Sequence, residues 1–380
     1  MKTTRTLLSL CLLGATSLAF GKKPLDSAVA ALLAVGDKGE GNADASASWP
    51  KVAAKQPHQI PALLAVMDGA NNLSQNWLRA AVDVIAERSL KNGQKLPAKE
   101  LKAFLEDRSH APVSRRLAYE LLLKAEPKKA AALAPGFIDD PAPELRRDAV
   151  ALLLDQAAEK ENPALYGKAL RAARDVDQIQ AASEALKKAG KTVDLPKIMG
   201  FLMRWKLIGP FDNAERGGFS VAYPPEKETN FAAAYPGKDA EAKWTNFSTA
   251  DSFGMVDVNQ EYGELKEVVA YAHTTFDSPE ARDVQFRLGC KNAWKIWLNG
   301  KLLFARDEYH RGMRIDQYVI PASIQKGPNA ILVKLCQNEQ MESWTKQWQF
   351  QLRVTDASGS AVLAANRGPT PTGKAPDSKR

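Results

Sequence analysis

The chain has 380 residues, 45% hydrophobic and 25% charged, which excludes a fibrous or wholly disordered protein and is long enough to predict two folded modules. Its formal net charge is +8, but Lys2 and Arg5 supply two of those charges and Arg367–Arg380 another net three, leaving three on the body of the chain. With no basic stripe left to follow phosphates, nucleic acid is not an expected partner.

The chain opens with Lys2 and Arg5, the apolar run Leu7–Leu13 and the small residues leading to Ala19-Phe20-Gly21. That order predicts a signal peptide over 1–21, cleaved after Gly21, and an exported protein, periplasmic or extracellular. The run is shorter than the roughly 20 residues a membrane span needs, and no later segment is longer, so no membrane span is expected. Cys11 lies inside it and leaves with the signal. Residues 22–56 form an N-terminal segment expected to be partly flexible, because Gly36–Ser48 is rich in Gly, Asp, Ser and Ala.

One pattern then occurs three times: Arg79-Ala80-Ala81-Val82, Arg116-Leu117-Ala118-Tyr119 and Arg147-Asp148-Ala149-Val150. In each, apolar side chains follow the alanine at helical spacing, which predicts an amphipathic helix. A second apolar segment precedes each copy, at Ile60–Met67, Leu101–Leu105 and Ala130–Ile138, so the unit is a helix hairpin. Ser74, Asp107-Arg108-Ser109 and Asp139-Asp140-Pro141 are the expected caps and first-turn residues. A weaker fourth copy runs from Gln180 to Leu186. The stretch from Asp140-Pro141 through Arg147 to Leu153 resembles the HEAT repeat family. That resemblance implies a short α-solenoid over 57–195, able to serve as a platform for a protein partner. One arginine per repeat is expected to pair with an acid of the adjacent turn, such as Asp107 or Asp140.

From Phe201 the period changes to two, which sets a domain boundary near Gly190–Gly200. Val284, Phe286 and Leu288, then Ile331, Val333 and Leu335, then Phe350, Leu352 and Val354 alternate with other residues as strands with one face in a core. Asn299-Gly300 between Trp294–Leu298 and Lys301–Phe304 is a strong hairpin signal. The Trp-Leu-Asn-Gly-Lys hairpin, then Lys326-Gly327-Pro328-Asn329 leading into Ile331–Lys334, then the closing strand ending at Thr355-Asp356, resembles the galactose-binding-like jelly roll. Trp205–Phe211 resembles the opening strand found ahead of it. The expected fold is therefore an α-solenoid followed by an antiparallel β-sandwich, with the sandwich over 200–360 and a disordered tail over 361–380. The resemblance implies a carbohydrate-binding-like module. Gly289-Cys290-Lys291-Asn292-Ala293 lacks the paired acids that related modules often carry before the hairpin, so no calcium is expected there.

Catalytic groups are sparse. The histidines, His58, His110, His273 and His310, lie on separate segments without metal-ligand spacing, and no Gly-x-Ser-x-Gly elbow is present. Asp307-Glu308 would point to opposite faces of a strand, which does not suit glycoside cleavage. No enzyme, metal or cofactor is expected.

Most of the tryptophans, Trp205, Trp244, Trp294, Trp297 and Trp348, suit core packing. Trp344 differs, because it follows the polar stretch Asn338–Ser343 between two strands. With Tyr309 and Arg311 of the polar-aromatic run Tyr309-His310-Arg311, it is a candidate contact for a sugar ring and its hydroxyls. Cys290 and Cys336 end two strands and leave open a disulfide or two inert thiols. Two functions follow: an exported protein whose sandwich binds a glycan or cell-envelope component, or a protein scaffold in which the sandwich is structural.

Overall fold

The structure is a computed structural model and describes Asp26–Thr372. The expected signal segment with Cys11, and the tail beyond Thr372, lie outside the described residues. The described chain is helical from Ser27 to Met199 and forms antiparallel sheets, packed as a sandwich, from Arg204 to Thr355. It divides into two compact units, one ending at Ala131 and one beginning at Ala132. No helix among the described residues is long and apolar enough to cross a membrane.

The first unit holds α1 (Ser27–Leu33), α2 (Asn42–Ala53), α3 (Ile60–Met67), α4 (Asn72–Lys91), α5 (Ala98–Glu106), α6 (Pro112–Ala125) and α7 (Pro127–Ala131). The stretch expected to be a flexible loop is largely α2. Its alanines are good helix formers, and Ala45, Val52 and Ala53 are buried. The start of α4 is capped by Asn71, whose side chain accepts from the Ser74 amide at 2.9 Å, so Ser74 is a buried first-turn residue and not the cap. The first two Arg-Ala motifs lie on α4 and α6. Arg79 pairs with Glu120 of α6, so it reaches the next long helix and not a turn acid. Asp107 accepts instead from the Ser109 amide and hydroxyl.

The second unit begins with α8 (Pro143–Glu159), α9 (Pro163–Ala172), α10 (Val176–Lys188) and α11 (Leu195–Met199). Pro143 and Pro163 sit in first turns, where a missing N–H costs nothing. The third motif lies on α8, the fourth on α10, and Arg147 donates across to Asp177 at 2.9 Å. Val150, Leu170, Ile179, Leu186 and Met199 form a core that continues into Phe201 and Met203. Gly200 makes the handover from helix to sheet. It caps α11 at φ 80°, and a Cβ there would stand 2.6 Å from the Val354 carbonyl oxygen. The Gly200 carbonyl accepts from the Val354 amide at 3.1 Å and the Leu202 amide donates to Leu352 at 2.9 Å. These helices thus share a core and backbone bonds with the sheets.

Twelve strands follow among the described residues: β1 (Arg204–Asp212), β2 (Ala234–Pro236), β3 (Glu241–Lys243), β4 (Thr245–Ser248), β5 (Val256–Asp257), β6 (Val268–Ser278), β7 (Arg282–Cys290), β8 (Trp294–Leu298), β9 (Lys301–Arg306), β10 (Tyr318–Ile324), β11 (Gly327–Cys336) and β12 (Gln349–Thr355). One sheet has the order β4-β1-β6-β11-β8-β9 and the other β10-β7-β12-β5, with β2 and β3 paired separately. Between the two larger sheets lie the alternating residues of β7, β11 and β12, together with Trp205, Trp294 and Trp348. Asn299 and Gly300 both have positive φ, 51° and 78°, the geometry of a two-residue hairpin turn.

The other face of the six-stranded sheet is buried as well. Ile208, Phe211, Tyr271, Trp297 and Leu332 are covered by Phe219, Tyr223, Tyr235 and Trp244 from the segment 213–244. Beneath this cover Lys334, fully buried, donates to Glu226 Oε1 at 2.8 Å and to the carbonyls of Val221 at 2.6 Å and Phe219 at 3.1 Å. Tyr271 donates its hydroxyl to the same Glu226 oxygen at 2.5 Å.

One alternative left open is decided, and one expectation is corrected. Cys290 and Cys336 are free, buried thiols: β7 and β11 belong to different sheets, and Cys290 faces the intersheet core while Cys336 faces the covered outer side. The first part of the tail is tied down. Val362 packs into the sandwich core, Asn366 donates to the Thr275 carbonyl at 3.0 Å, and Arg367 donates to the Phe201 carbonyl at 2.5 Å.

Candidate functional site

Strand ends leave backbone groups unpaired, and side chains must satisfy them. At one end of the sandwich this produces a polar cluster. Asn213, just after β1, donates to the Gln337 carbonyl at 2.9 Å and to the Tyr309 hydroxyl at 3.1 Å. Asn292, in the turn between β7 and β8, accepts from the His310 amide at 3.3 Å and donates to Gln337 Oε1 at 2.7 Å. Asn338, just after β11, donates to Asn292 Oδ1 at 3.2 Å.

Above this buried layer stands an exposed one. Arg216 donates to both oxygens of Glu339, from Nε at 3.1 Å and Nη2 at 2.6 Å, and Nη2 lies 2.8 Å from His310 Nε2. Its guanidinium lies over the Tyr309 ring, 4.8 Å from the centroid. The Arg216 hydrogen bonds hold the Glu339 carboxyl at about 2, well below the ordinary value, so the pair is charged at neutral pH. Among the described residues, nine non-glycine positions have positive φ, and Glu215, Arg216, Glu267, Asn292 and His310 of these belong to this end. Left-handed backbone costs such residues on the order of 1 kcal/mol each, and its concentration here marks a place held in a defined shape against local preference.

The loop between β11 and β12 carries Trp344. It is braced from below: Lys266 donates to the Thr345 carbonyl at 2.9 Å and to Asn338 Oδ1 at 3.2 Å, Asn259 donates to the Lys346 carbonyl at 2.9 Å, and Thr345 Oγ1 donates to the Glu342 carbonyl at 2.7 Å. The Trp344 side chain on this braced loop is 74% exposed, as is Met341, whereas Trp348, four residues on, is 1% exposed in the core.

The sequence-derived candidates thus have three different placements. Trp344 stands free on the same loop as Glu339. Tyr309 is half-buried, with its hydroxyl turned inward to Asn213 and its ring beneath Arg216, so it supports the rim more than it faces solvent. Arg311 is directed to Glu308 at 2.8 Å, in a separate group with Arg306, and does not join the Arg216–Glu339 cluster. Burial pushes the Cys336 thiol up to about 12 and the Cys290 thiol well above its ordinary value, so neither is a ready nucleophile. Arg216, Glu339, Asn292 and Asn338 are not among the contacts expected from the sequence. Their signal was the polar run Gln337–Gln340 placed directly after an apolar strand, and the turn Glu215-Arg216-Gly217-Gly218.

No protein-family profile matches the chain, and no curated protein sequence matches it. Several solved structures share distant likeness with part of it. A family 35 carbohydrate-binding module from Clostridium thermocellum is 13% identical over 27% of this chain and 85% of that one, with a TM-score of 0.17. A beta-galacturonidase from Eisenbergiella tayi is 8% identical over 40% of this chain and 25% of that one, with a TM-score of 0.24. A beta-glucosidase from Kluyveromyces marxianus is 16% identical over 23% of this chain and 11% of that one, with a TM-score of 0.19. The chain therefore spans a quarter or less of either enzyme. At these scores none of the likenesses decides a function, and the geometry of the rim has to carry it.

Proposed function

We propose that this is an exported, non-enzymatic binding protein whose sandwich takes a saccharide of a glycan or cell envelope at the loop rim, with the helical repeats as an interaction platform. The observation that carries the reading is Trp344: an indole 74% exposed on a loop whose backbone is held by the half-buried Lys266 and the buried Asn338. An aromatic on a braced backbone offers its face to the apolar side of a sugar ring at a reduced ordering cost. Glu339 and Arg216 supply an acceptor and a donor for hydroxyls on the same rim. Export rests on the basic, apolar and small-residue order of Met1–Gly21.

The test is calorimetry of the full chain against a panel of polysaccharides. Stacking is worth about 0.5–1.5 kcal/mol, so Trp344→Ala weakens binding roughly two- to tenfold and leaves stability unchanged. Trp348→Ala, by contrast, costs about 3–5 kcal/mol of stability. If the wild-type chain binds no polysaccharide, the saccharide reading fails and the scaffold reading takes its place.

A further inference from the structure

Apart from the rim, the second unit holds a pocket of about 280 Å³ where the start of β1 and the second half of β6 meet the chain that follows β12. One wall is that returning chain, which presents Val362, Leu363 and Ala364. It is held in place by the Ala365 amide on the Asp277 carbonyl at 2.8 Å, by Asn366 on the Thr275 carbonyl at 3.0 Å and by Arg204 on the Arg367 carbonyl at 2.8 Å. Phe231, 43% exposed, adds an aromatic ring to the lining. The size suits a small ligand.

Two polar side chains of this pocket lack a matching partner. Lys206 of β1 and His273 of β6 are paired in register, which sets them side by side on one face of the sheet. The Lys206 ammonium donates to a neutral atom, Asn246 Oδ1, at 2.7 Å and lies 5.2 Å from the centre of the Phe231 ring, and among the described residues no carboxylate pairs with it. None of the described residues lining the pocket is Asp or Glu. The two arginines that line it are already engaged, Arg204 on the Arg367 and Pro369 carbonyls and Arg367 on the Phe201 carbonyl. His273 is 6% exposed, and among the described residues neither of its ring nitrogens has a hydrogen-bond partner. Buried polar groups are rarely left so. Edge-on packing against Phe231 accounts for a ring at this position, but a phenylalanine would pack as well without a polar edge.

We propose that this pocket binds a small monocarboxylic acid with an apolar body, an aryl or short-chain alkyl acid. The carboxylate takes one hydrogen bond from the Lys206 ammonium and one from the His273 imidazole N–H, and the body lies against Phe231 and Leu363. Burial, with a lesser push from the Lys206 charge, keeps the His273 ring neutral, so it has a single N–H to give. Lys206 balances one negative charge, whereas a phosphate dianion would bring a second with no cation to meet it.

The experiment titrates the full chain with phenylacetate and hexanoate, using benzyl alcohol as the body without the charge and acetate as the charge without the body. Calorimetry reads affinity, and NMR follows the imidazole signals of His273. The expected result is saturable binding of phenylacetate or hexanoate that moves the His273 signals, with benzyl alcohol and acetate each weaker by about tenfold or more. Lys206→Met keeps the stem of the side chain and loses the charge, so it weakens the better-bound acid about tenfold while the melting temperature without ligand stays unchanged. His273→Phe keeps the ring packing and loses the N–H, with a similar loss of affinity. Equal affinity in wild type and Lys206→Met would overturn the proposal. So would the absence of saturable binding by either acid, benzyl alcohol or acetate binding as tightly as phenylacetate, or an acid that binds without moving the His273 signals. Because the saccharide rim contributes no residue here, failure of one site leaves the other to be judged on its own titration.

Discussion

Two ion pairs attached to the six-stranded sheet make opposite uses of charge. Lys334 and Glu226 meet beneath the segment 213–244, with side-chain exposures of 0% and 11%. Arg216 and Glu339 meet on the rim at 45% and 39%. In the first, every proton of the ammonium has an acceptor and Tyr271 shares the carboxylate, so the network is complete and closed to any ligand. In the second, the carboxylate and guanidinium keep faces to water, with the exposed Trp344 farther along the Glu339 loop. Completeness under a cover is the mark of a structural network, while the open pair remains available to exchange water for a ligand.

The sharpest way to break the comparison is at the covered pair. Glu226→Ala leaves the Lys334 ammonium buried beside two carbonyls and no anion, and removing one partner of such a pair costs about 3–5 kcal/mol. Chemical denaturation measures that loss. Glu226→Leu/Lys334→Met, which removes both charges, recovers most of it. If the single variant is as stable as wild type, the network does not hold the cover down.

A smaller effect belongs to the same covered face. His273 on β6 is 6% exposed, with its ring edge-on to Phe231 at 5.0 Å and to Trp244 at 6.2 Å. Burial, with a lesser push from the Lys206 charge, lowers its pKa from 6.5 to about 4. The native state thus keeps the ring neutral where the unfolded chain would take up a proton. Its contribution is fully present above pH 6.5 and is lost as pH falls toward 4, on the order of 2–3 kcal/mol over that window. His273→Phe removes this slope, and the difference between the two pH profiles isolates it from carboxylate titrations. Superimposable profiles would mean that the ring takes up its proton as readily in the native state as in the unfolded chain.

The elements that sequence alone revealed are those dictated by short-range chemistry. The Asn299-Gly300 hairpin, the alternating cores of β7, β11 and β12, and the helices bearing Arg79, Arg116 and Arg147 all follow from turn conformation or period. What alternation could not show was the fate of the second face. Lys334 in β11 and Arg353 in β12 read as solvent positions, yet both are buried, Lys334 beneath 213–244 and Arg353 against Asp316 and the Met199 carbonyl at 3.2 Å. A strand's period says which residues share a face but not whether a distant segment will cover it. The same limit applies to the rim. Trp344 could be singled out because its polar neighbours are adjacent in sequence, whereas Arg216 meets Glu339 across 123 positions of chain.

The smallest stability change, and the one that separates rim from cover most cleanly, is expected at Glu339. Glu339→Gln keeps the shape of the side chain but replaces a two-oxygen acceptor for Arg216 with one carbonyl oxygen and an amide that repels the guanidinium. Because both partners are more than a third exposed, the loss of stability is under about 1 kcal/mol and shrinks further in salt. Binding should suffer more than folding. Arg216 and His310 both hold left-handed backbone, at φ 64° and 63°, and the carboxylate they face helps keep them there beside the Trp344 loop. Denaturation should therefore give a curve close to wild type, while saccharide affinity on the calorimeter falls several-fold. An affinity equal to wild type would place the Arg216–Glu339 pair outside the binding surface and leave Trp344 as its only tested contact.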